Sequence, residues 1–343
     1  MNNKTNRKTE SGVSIRVEMI RQLTLVLLLA AELIIFAFMT QNFFTTSNMI
    51  NVLRQVSITG ISSLGMFMII LLGDIDLSVG SMYAFIGVIS AIVFKTTEST
   101  CLTLIVALAL GIAIGLFNGI FTAKFRVPAF ITTLATMSIC RGFAYIITGG
   151  SPIGVTNPKF TFLGTGYVFN LIPLPVIFMI IVLILGMILV KHTRFGRYIY
   201  SCGGNAQAAK WSGINVDKIR ITVYVIAGFL NGFAAIILAG RLGGGLPATG
   251  EGSEMDVITA VVLGGTSMSG GKGKLWGVVL GVLIIGVLTN GLTMINVSSY
   301  WQKVIKGIII LAAVIMDNRN AATNKFVIIY REEDTVEITV TKK

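Results

Sequence analysis

Two aspartates stand close together in an apolar part of the chain, in the stretch LLGDIDLSVG at residues 71–80. Three kinds of chemistry would need carboxylates at Asp74 and Asp76. Asp76, or Ser78 after it, can cap the following helix by accepting its free N–H groups. A buried carboxylate needs a cationic partner, because inserting a charge costs about 2.5 to 3.5 kcal/mol. Arg141 is such a cation and can pair with Glu32 or with either aspartate. In the third interpretation the two aspartates bind and release protons during transport, and the protein is then a secondary transporter.

Other reactive side chains form no pattern typical of catalysis. His192 is the only histidine, and the three cysteines, Cys101, Cys140 and Cys202, are scattered along the chain. Metal and triad chemistry require partners at ligand spacing, which these residues lack. The stretch GGTSMSGGKGK at 264–274 lacks the glycine spacing of a phosphate-binding loop. We therefore predict no catalytic residue, no metal site, no cofactor and no ATP hydrolysis by this chain.

The composition places these residues in a membrane protein. The 343 residues are 54% hydrophobic and 12% charged, with a mean hydropathy of +0.84. An average soluble domain has roughly 25% charged residues. We predict an all-α polytopic protein with about ten transmembrane helices. The predicted spans are Gln22–Met39, Ile58–Gly73, Val79–Phe94, Leu102–Phe121, Pro128–Ile147, Val168–Val190, Ile221–Ala239, Asp256–Ser269, Leu275–Met294 and Ser299–Met316.

Basic residues predict the orientation of these spans. With a cytoplasmic N-terminus, 20 of the 27 Lys and Arg residues lie in inner segments, six lie in outer segments, and Arg141 lies within a span. The positive-inside rule therefore predicts both termini on the cytoplasmic side. The net charge of +12 is explained by these inner loops. A nucleic-acid partner is accordingly not expected.

The long inner connection at residues 191–220 has the strongest local signal. Asn205 can cap a helix, AQAAKW has high helix propensity, and Gly213 can end it. A short surface helix between glycine-rich joints is typical of a docking element. An ordinary solvated loop, whose basic residues only set the orientation, is the alternative interpretation.

A weak echo of LLGDIDLSVG occurs at residues 262–271, VLGGTSMSGG. Glycine-interrupted apolar segments in two halves of a transporter are typical of broken helices around a pathway. Both stretches face the cytoplasm in the predicted orientation, which does not match a simple inverted repeat.

Four ordered motifs carry a resemblance to a known family. They are GDIDLSVGS at 73–81, FRVPAFITTLATMSICRGFAYIITGG at 125–150, RFGRYIYSCGGNAQAAKWSGINVDKI at 194–219 and VVLGGTSMSGGKGKLWGVVLG at 261–281. Between about residue 20 and residue 317 the chain resembles the permease subunit of bacterial ribose-type sugar ABC importers. The first motif departs from the family pattern G-G-I-D-L-S-V-G, because Asp74 replaces the second glycine.

This resemblance implies a type II importer permease and its partners. The expected partners are a cytoplasmic ABC ATPase, a second permease copy that forms a homodimer, and an extracytoplasmic sugar-binding protein. The segment Asn205–Ile214 would be the coupling helix that docks on the ATPase. The resemblance implies ATPase contacts from Ala208, Ala209, Trp211 and Gly213, with Arg194 and Arg197 tethering the ends of the segment.

Polar side chains within or next to the spans are candidates for lining the sugar passage. They are Asp76, Asn118, Thr132, Thr136, Arg141, Asn231 and Asn290. Each can equally form a hydrogen bond between membrane helices, worth about 0.6 to 2 kcal/mol.

The sequence thus predicts a cytoplasmic segment at 1–20, a permease domain at 21–317 and a cytoplasmic tail at 318–343. The expected function is the passage of a monosaccharide across a bacterial inner membrane as part of an ATP-binding cassette importer. The alternative is an ion- or proton-coupled carrier that uses Asp74, Asp76 and Arg141.

Overall fold

The computed structural model describes residues 22–323. The predicted cytoplasmic segment 1–20 and residues 324–343 of the predicted tail lie outside the described residues. Thirteen helices form within this part of the chain: α1 (Gln22–Met39), α2 (Thr46–Leu71), α3 (Val79–Thr97), α4 (Thr100–Ala123), α5 (Ala129–Thr148), α6 (Pro158–Thr165), α7 (Leu174–His192), α8 (Arg194–Gly204), α9 (Ala206–Trp211), α10 (Val216–Leu242), α11 (Ser253–Leu263), α12 (Leu275–Met294) and α13 (Ser299–Thr323).

Two short antiparallel strand pairs accompany the helices. β1 (Ile153–Gly154) pairs with β4 (Gly244–Gly245), and β2 (Tyr167–Val168) pairs with β3 (Ile172–Pro173). Each strand has only two residues, so the predicted all-α class is confirmed.

Eight of the described helices, α1 to α5, α7, α10 and α12, are long and apolar enough to cross a membrane. The two other predicted spans correspond to α11, which has only 11 residues, and α13, which carries Lys303 and Lys306. The predicted span Asp256–Ser269 was too long at its end, because the helix stops at Leu263 and a turn-rich segment follows. The orientation with both termini inside stays a prediction.

Two helix starts differ from the predicted spans. α2 begins twelve residues before Ile58, because the Thr45 hydroxyl caps it by accepting from Asn48 N–H. The first turns of α2 contain polar residues, which hydropathy alone does not assign to a span. In contrast, the span predicted from Val168 begins as helix only at Leu174, since the preceding residues form the β2–β3 hairpin.

The core is built around α10, which packs closely along α4. Gly111 and Gly115 of α4 are in backbone contact with Gly228 of α10. A Cβ at any of these positions would overlap the backbone of the facing helix. Small residues that allow such close approach are typical of membrane helix packing.

Candidate functional site

The connection 191–220 folds as two helices whose starts are set by local caps. Thr193 accepts from Gly196 N–H at the start of α8, and Asn205 accepts from Ala208 N–H at the start of α9. Gly213 follows α9 with a φ of +82°, a conformation that favours glycine. The predicted helix with its Asn205 cap is therefore confirmed.

The preceding helix α8 was not predicted. The sequence feature that indicates it is the apolar pair Ile199 and Cys202, which are three residues apart and face the core.

The side chains of α9 divide between the core and the surface. Trp211 is 80% exposed, and Ala208 and Gly213 are also exposed. Ala209 is only 1% exposed and packs against the chain's own core. Arg194 and Arg197 are exposed on α8. The contacts with an ATPase that the resemblance implies for these residues stay predictions, and Ala209 faces away from the surface that a partner can reach.

A groove of about 390 Å³ lies beside α9. Its far wall carries Arg126, whose guanidinium lies 3.2 Å from the Asp217 carboxylate at the start of α10. Gln207 and Lys210 of α9 form the near wall. The connection 191–220 therefore presents an exposed indole and, beside α9, a polar groove.

The end of α8 is joined to the membrane helices through glycine backbones. Gly203 lies against the carbonyl of Leu71, and the same carbonyl accepts the N–H of Gly271 at 2.8 Å. The two stretches with the weak sequence echo, 71–80 and 262–271, therefore contact each other at this point. The Tyr200 hydroxyl also donates to the carbonyl of Gly273 at 2.8 Å. We call these contacts of Leu71, Tyr200, Gly203, Gly271 and Gly273 the glycine junction.

Asp317 of α13 holds the other side of the segment 264–274. Its carboxylate accepts from the Ser267 hydroxyl at 2.9 Å and from Met268 N–H at 3.1 Å. The segment between α11 and α12 is thus fixed to α2, α8 and α13 at once.

The two aspartates of the linker between α2 and α3 have different surroundings. Asp74 forms an ion pair with Arg220, with 3.0 Å between Oδ2 and Nε. Asp76 accepts from the backbone N–H and the hydroxyl of Ser78, at 2.8 and 2.5 Å. Asp76 therefore binds the residue just before α3, and the Ser78 hydroxyl makes no capping bond of its own. The cation that pairs with Asp74 is Arg220 and not Arg141.

Several candidates for the sugar passage are hydrogen-bonded to one another inside the chain. Asn118 donates to the Ser78 hydroxyl at 3.2 Å and accepts from the Thr136 hydroxyl at 2.6 Å. This buried polar cluster joins the linker to α4 and α5, and Thr132 is buried one turn before Thr136. The cluster has the geometry of bonds between helices, and a role in the passage stays a prediction.

The remaining passage candidates lie elsewhere. Asn231 is buried in α10 with its amide facing the Met82 sulfur, at 3.8 Å. Asn290 exchanges two hydrogen bonds with Asn48, at 3.0 and 2.9 Å, and so joins α12 to α2. Arg141 donates to the carbonyls of Pro247 and Thr249 at 2.6 and 2.8 Å.

Sequence reasoning missed a second group of charged residues. Lys303 and Lys306 of α13 lie 2.8 and 2.7 Å from Glu251 and Asp256. The sequence feature that indicates them is a pair of lysines near the start of the predicted span Ser299–Met316. In the sequence these two lysines serve only to predict the orientation of the spans in the membrane.

Eight helices of this length and apolar composition in the described part of the chain define a multi-pass membrane protein. The profile of the family described as "Branched-chain amino acid transport system / permease component" matches residues 48–314. The chain belongs to this family, and within it to the ribose-type ABC importer permeases of bacterial inner membranes.

The chain is similar to several curated bacterial proteins. It is 44% identical to the ribose import permease protein RbsC of Escherichia coli (strain K12), over 82% of this chain and 88% of that protein. It is 43% identical to the protein of that name from Bacillus subtilis (strain 168), over 84% and 90%. The L-arabinose transport system permease protein AraH of E. coli K12 is 41% identical, over 82% and 85%. No solved structure matches the chain.

Proposed function

We propose that this chain is the membrane-spanning permease subunit of an ATP-binding cassette importer for a monosaccharide of the ribose type. A cytoplasmic ABC ATPase supplies the energy, an extracytoplasmic binding protein delivers the sugar, and two copies of the chain form the transporter. The names of the relatives, which are ribose import and L-arabinose transport permeases, support the choice of a monosaccharide.

The observation that carries the proposal is the exposed surface of α9. The Trp211 indole is 80% exposed on a short helix of the basic connection 191–220, and aromatic side chains are enriched at the centres of protein interfaces. Trp211 and Ala208 are exposed on the same short helix whose Gln207 and Lys210 line the groove. We assign the ATPase to this surface, where rigid-body motion of the partner acts directly on α9.

The glycine junction can transmit a movement of α9 to the helices that cross the membrane. α8 follows α7 after one residue and touches the last residue of α2 and the segment 264–274 through backbone atoms. Backbone contacts without intervening side chains leave little space that could absorb a displacement. A shift of α9 would therefore move the ends of α2 and α12 together.

The carrier alternative would use Asp74, Asp76 and Arg141 for ion or proton coupling. Its proposed proton-coupling residues are occupied in other ways, because Asp74 pairs with Arg220 and Asp76 binds Ser78. Arg141 binds two backbone carbonyls. We therefore do not propose it.

Affinity purification of the tagged chain from its own host, followed by mass spectrometry, tests the ATPase surface. We expect an ATPase with phosphate-binding motifs to co-purify, and Trp211→Glu to reduce its recovery by at least about tenfold, the effect of a hot-spot residue. Phe169→Glu is the matched control, since Phe169 is 94% exposed on the β2–β3 hairpin, which the 19-residue helix α7 separates from the connection 191–220. Equal recovery with both variants, or no ATPase with the unsubstituted chain, would contradict the proposal.

A further inference from the structure

Charged side chains line a cavity between α11 and α13. The cavity has a volume of about 380 Å³, within the range of sites for small ligands. Its walls carry three carboxylates, two ammonium groups and an amide: Glu251, Glu254, Asp256, Lys303, Lys306 and Gln302. We call this surface the mixed-charge face.

Two ion pairs cross the mixed-charge face. Lys306 lies 2.7 Å from Asp256, and both side chains are largely buried, at 14% and 19% exposed. Lys303 lies 2.8 Å from Glu251, and these side chains are 55% and 67% exposed. The Lys306–Asp256 pair therefore lies at the closed end of the mixed-charge face, and the Lys303–Glu251 pair lies at its open end.

Helix geometry places the Lys306–Asp256 pair level with the middle of α12, a helix long and apolar enough to cross a membrane. Asp317 marks the level of the segment 264–274, where α12 begins, through its bond to Ser267. At a rise of 1.5 Å per residue, Lys306 lies about 16 Å and Lys303 about 21 Å from that level along α13. The 20 residues of α12 span about 30 Å, the thickness of a hydrocarbon core, so both lysines lie between the levels of the two ends of α12.

The packing of α11 on α12 provides an independent measure of depth. Gly281, six residues into α12, is in contact with the Ala260 backbone. Asp256 lies one turn further along α11, so its depth is about 15 Å from the start of α12. This is half the length of a helix of 20 residues, in agreement with the depth of Lys306.

Exposed charges at that depth cannot face lipid at low cost. Lysine and aspartate each cost about 2.5 to 3.5 kcal/mol at the centre of a bilayer, and such residues normally face a protein interior or water. The other side of α13 has the opposite character, because Val304, Ile308, Leu311 and Ile315 are exposed and apolar. The polar side of α13 is therefore the side that water or another protein must cover.

A rigid support holds the mixed-charge face in position. The segment 246–252 that leads into α11 is tied by Arg141 at the carbonyls of Pro247 and Thr249. Gly250 of the same segment is in backbone contact with Gly80 at the start of α3. Glu251 and Glu254 are thus presented by a fixed backbone.

From these observations we propose that the mixed-charge face of α11 and α13 lines the passage along which the sugar crosses the membrane, with a second copy of this chain covering its open side. This inference rests on the proposed function. Sugar hydroxyls both donate and accept hydrogen bonds, so paired carboxylates and ammonium groups can bind them in many orientations. Because each carboxylate of a pair already has an ammonium partner, the sugar is held weakly and can leave.

Cysteine accessibility of the assembled importer in membrane vesicles tests this proposal. Gly307→Cys places a thiol on the cavity wall, where an added Cβ has no atom within 4 Å. Ile308→Cys is the matched control on the apolar side of the same helix at the same depth, and Cys101, which is exposed, is first replaced by serine. We expect a charged, membrane-impermeant thiosulfonate to react at least about tenfold faster at position 307, since only a hydrated thiol ionises. Modification there is also expected to stop sugar uptake.

Gln302→Cys, also on the cavity wall, repeats the measurement if Gly307→Cys does not assemble with the ATPase. Cavity cysteines that react no faster than the Ile308→Cys control, in vesicles that still take up sugar with ATP, would overturn the passage but leave the proposed function intact. Loss of ATP-dependent uptake in the unsubstituted importer would instead overturn the proposed function.

Discussion

The Asp74 carboxylate lies 3.0 Å from the Arg220 guanidinium, and this ion pair joins the α2–α3 linker to the first turns of α10. Both side chains are mostly buried, at 11% and 20% exposed. Asp74 occupies the position where the family motif G-G-I-D-L-S-V-G has its second glycine, so the pair adds a side-chain contact between this linker and α10.

Removal of one partner of this pair should destabilise the protein more than removal of both. We expect Arg220→Gln to lower the free energy of unfolding by about 1 to 3 kcal/mol, because an unpaired carboxylate remains buried at Asp74. The double variant Asp74→Asn with Arg220→Gln should recover part of that loss. Thermal unfolding of the purified chain in detergent measures both. Additive losses in the double variant would show that the two groups do not interact.

Burial raises the pKa of Asp74 from 3.8 to about 6, although Arg220 partly opposes the shift. A carboxyl whose folded pKa is raised binds its proton more tightly in the folded state, so its contribution to stability falls as the pH rises from about 4 to 6. Infrared difference spectra of the unsubstituted chain and Asp74→Asn should show a protonated carboxyl that disappears with a midpoint near pH 6. A midpoint near pH 4 would mean that the carboxylate is well solvated.

The glycine junction should tolerate a methyl group at one position and not at its neighbour. A Cβ on Gly203 would overlap the Leu71 carbonyl, whereas a Cβ on Gly204 has no atom within 4 Å. We expect Gly203→Ala to cost about 1 to 3 kcal/mol of stability through overpacking. It should also weaken the stimulation of ATP hydrolysis by the binding protein. Gly204→Ala is the control, and equal effects of the two substitutions would be evidence against a tight junction.

The buried cluster of Asn118, Ser78 and Thr136 makes a separate prediction. Thr136→Val removes the hydroxyl that donates to Asn118 at 2.6 Å, and leaving a buried acceptor unpaired costs about 1 to 3 kcal/mol. Ser138→Ala is the matched control on the same helix, because the exposed Ser138 hydroxyl bonds only to the carbonyl of Leu134. A smaller loss with Thr136→Val than with Ser138→Ala in thermal unfolding would contradict the assignment of this cluster to helix packing.

Sequence reasoning succeeded where the information is local. The helix α9 was predicted because its cap, Asn205, its helix-forming residues and its terminating glycine all stand within nine residues. The membrane class followed from composition, and the family resemblance followed from ordered motifs.

The charged contacts could not be predicted, because their partners are distant in the sequence. Lys306 and Asp256 are 50 residues apart, and Arg141 reaches carbonyls more than 100 residues away. Only the close packing of α11 against α13 brings the first pair together. The hydropathy pattern also predicted the start of α2 at Ile58, twelve residues too late, because the first turns of the helix contain polar residues.

The most direct test of the account is sugar uptake by proteoliposomes that contain this chain, its ATPase and its binding protein. We predict that labelled ribose or a related monosaccharide enters only when ATP and both partners are present, and that dissipation of ion gradients has no effect. Uptake by the chain alone, driven by a proton or sodium gradient without ATP, would contradict the account.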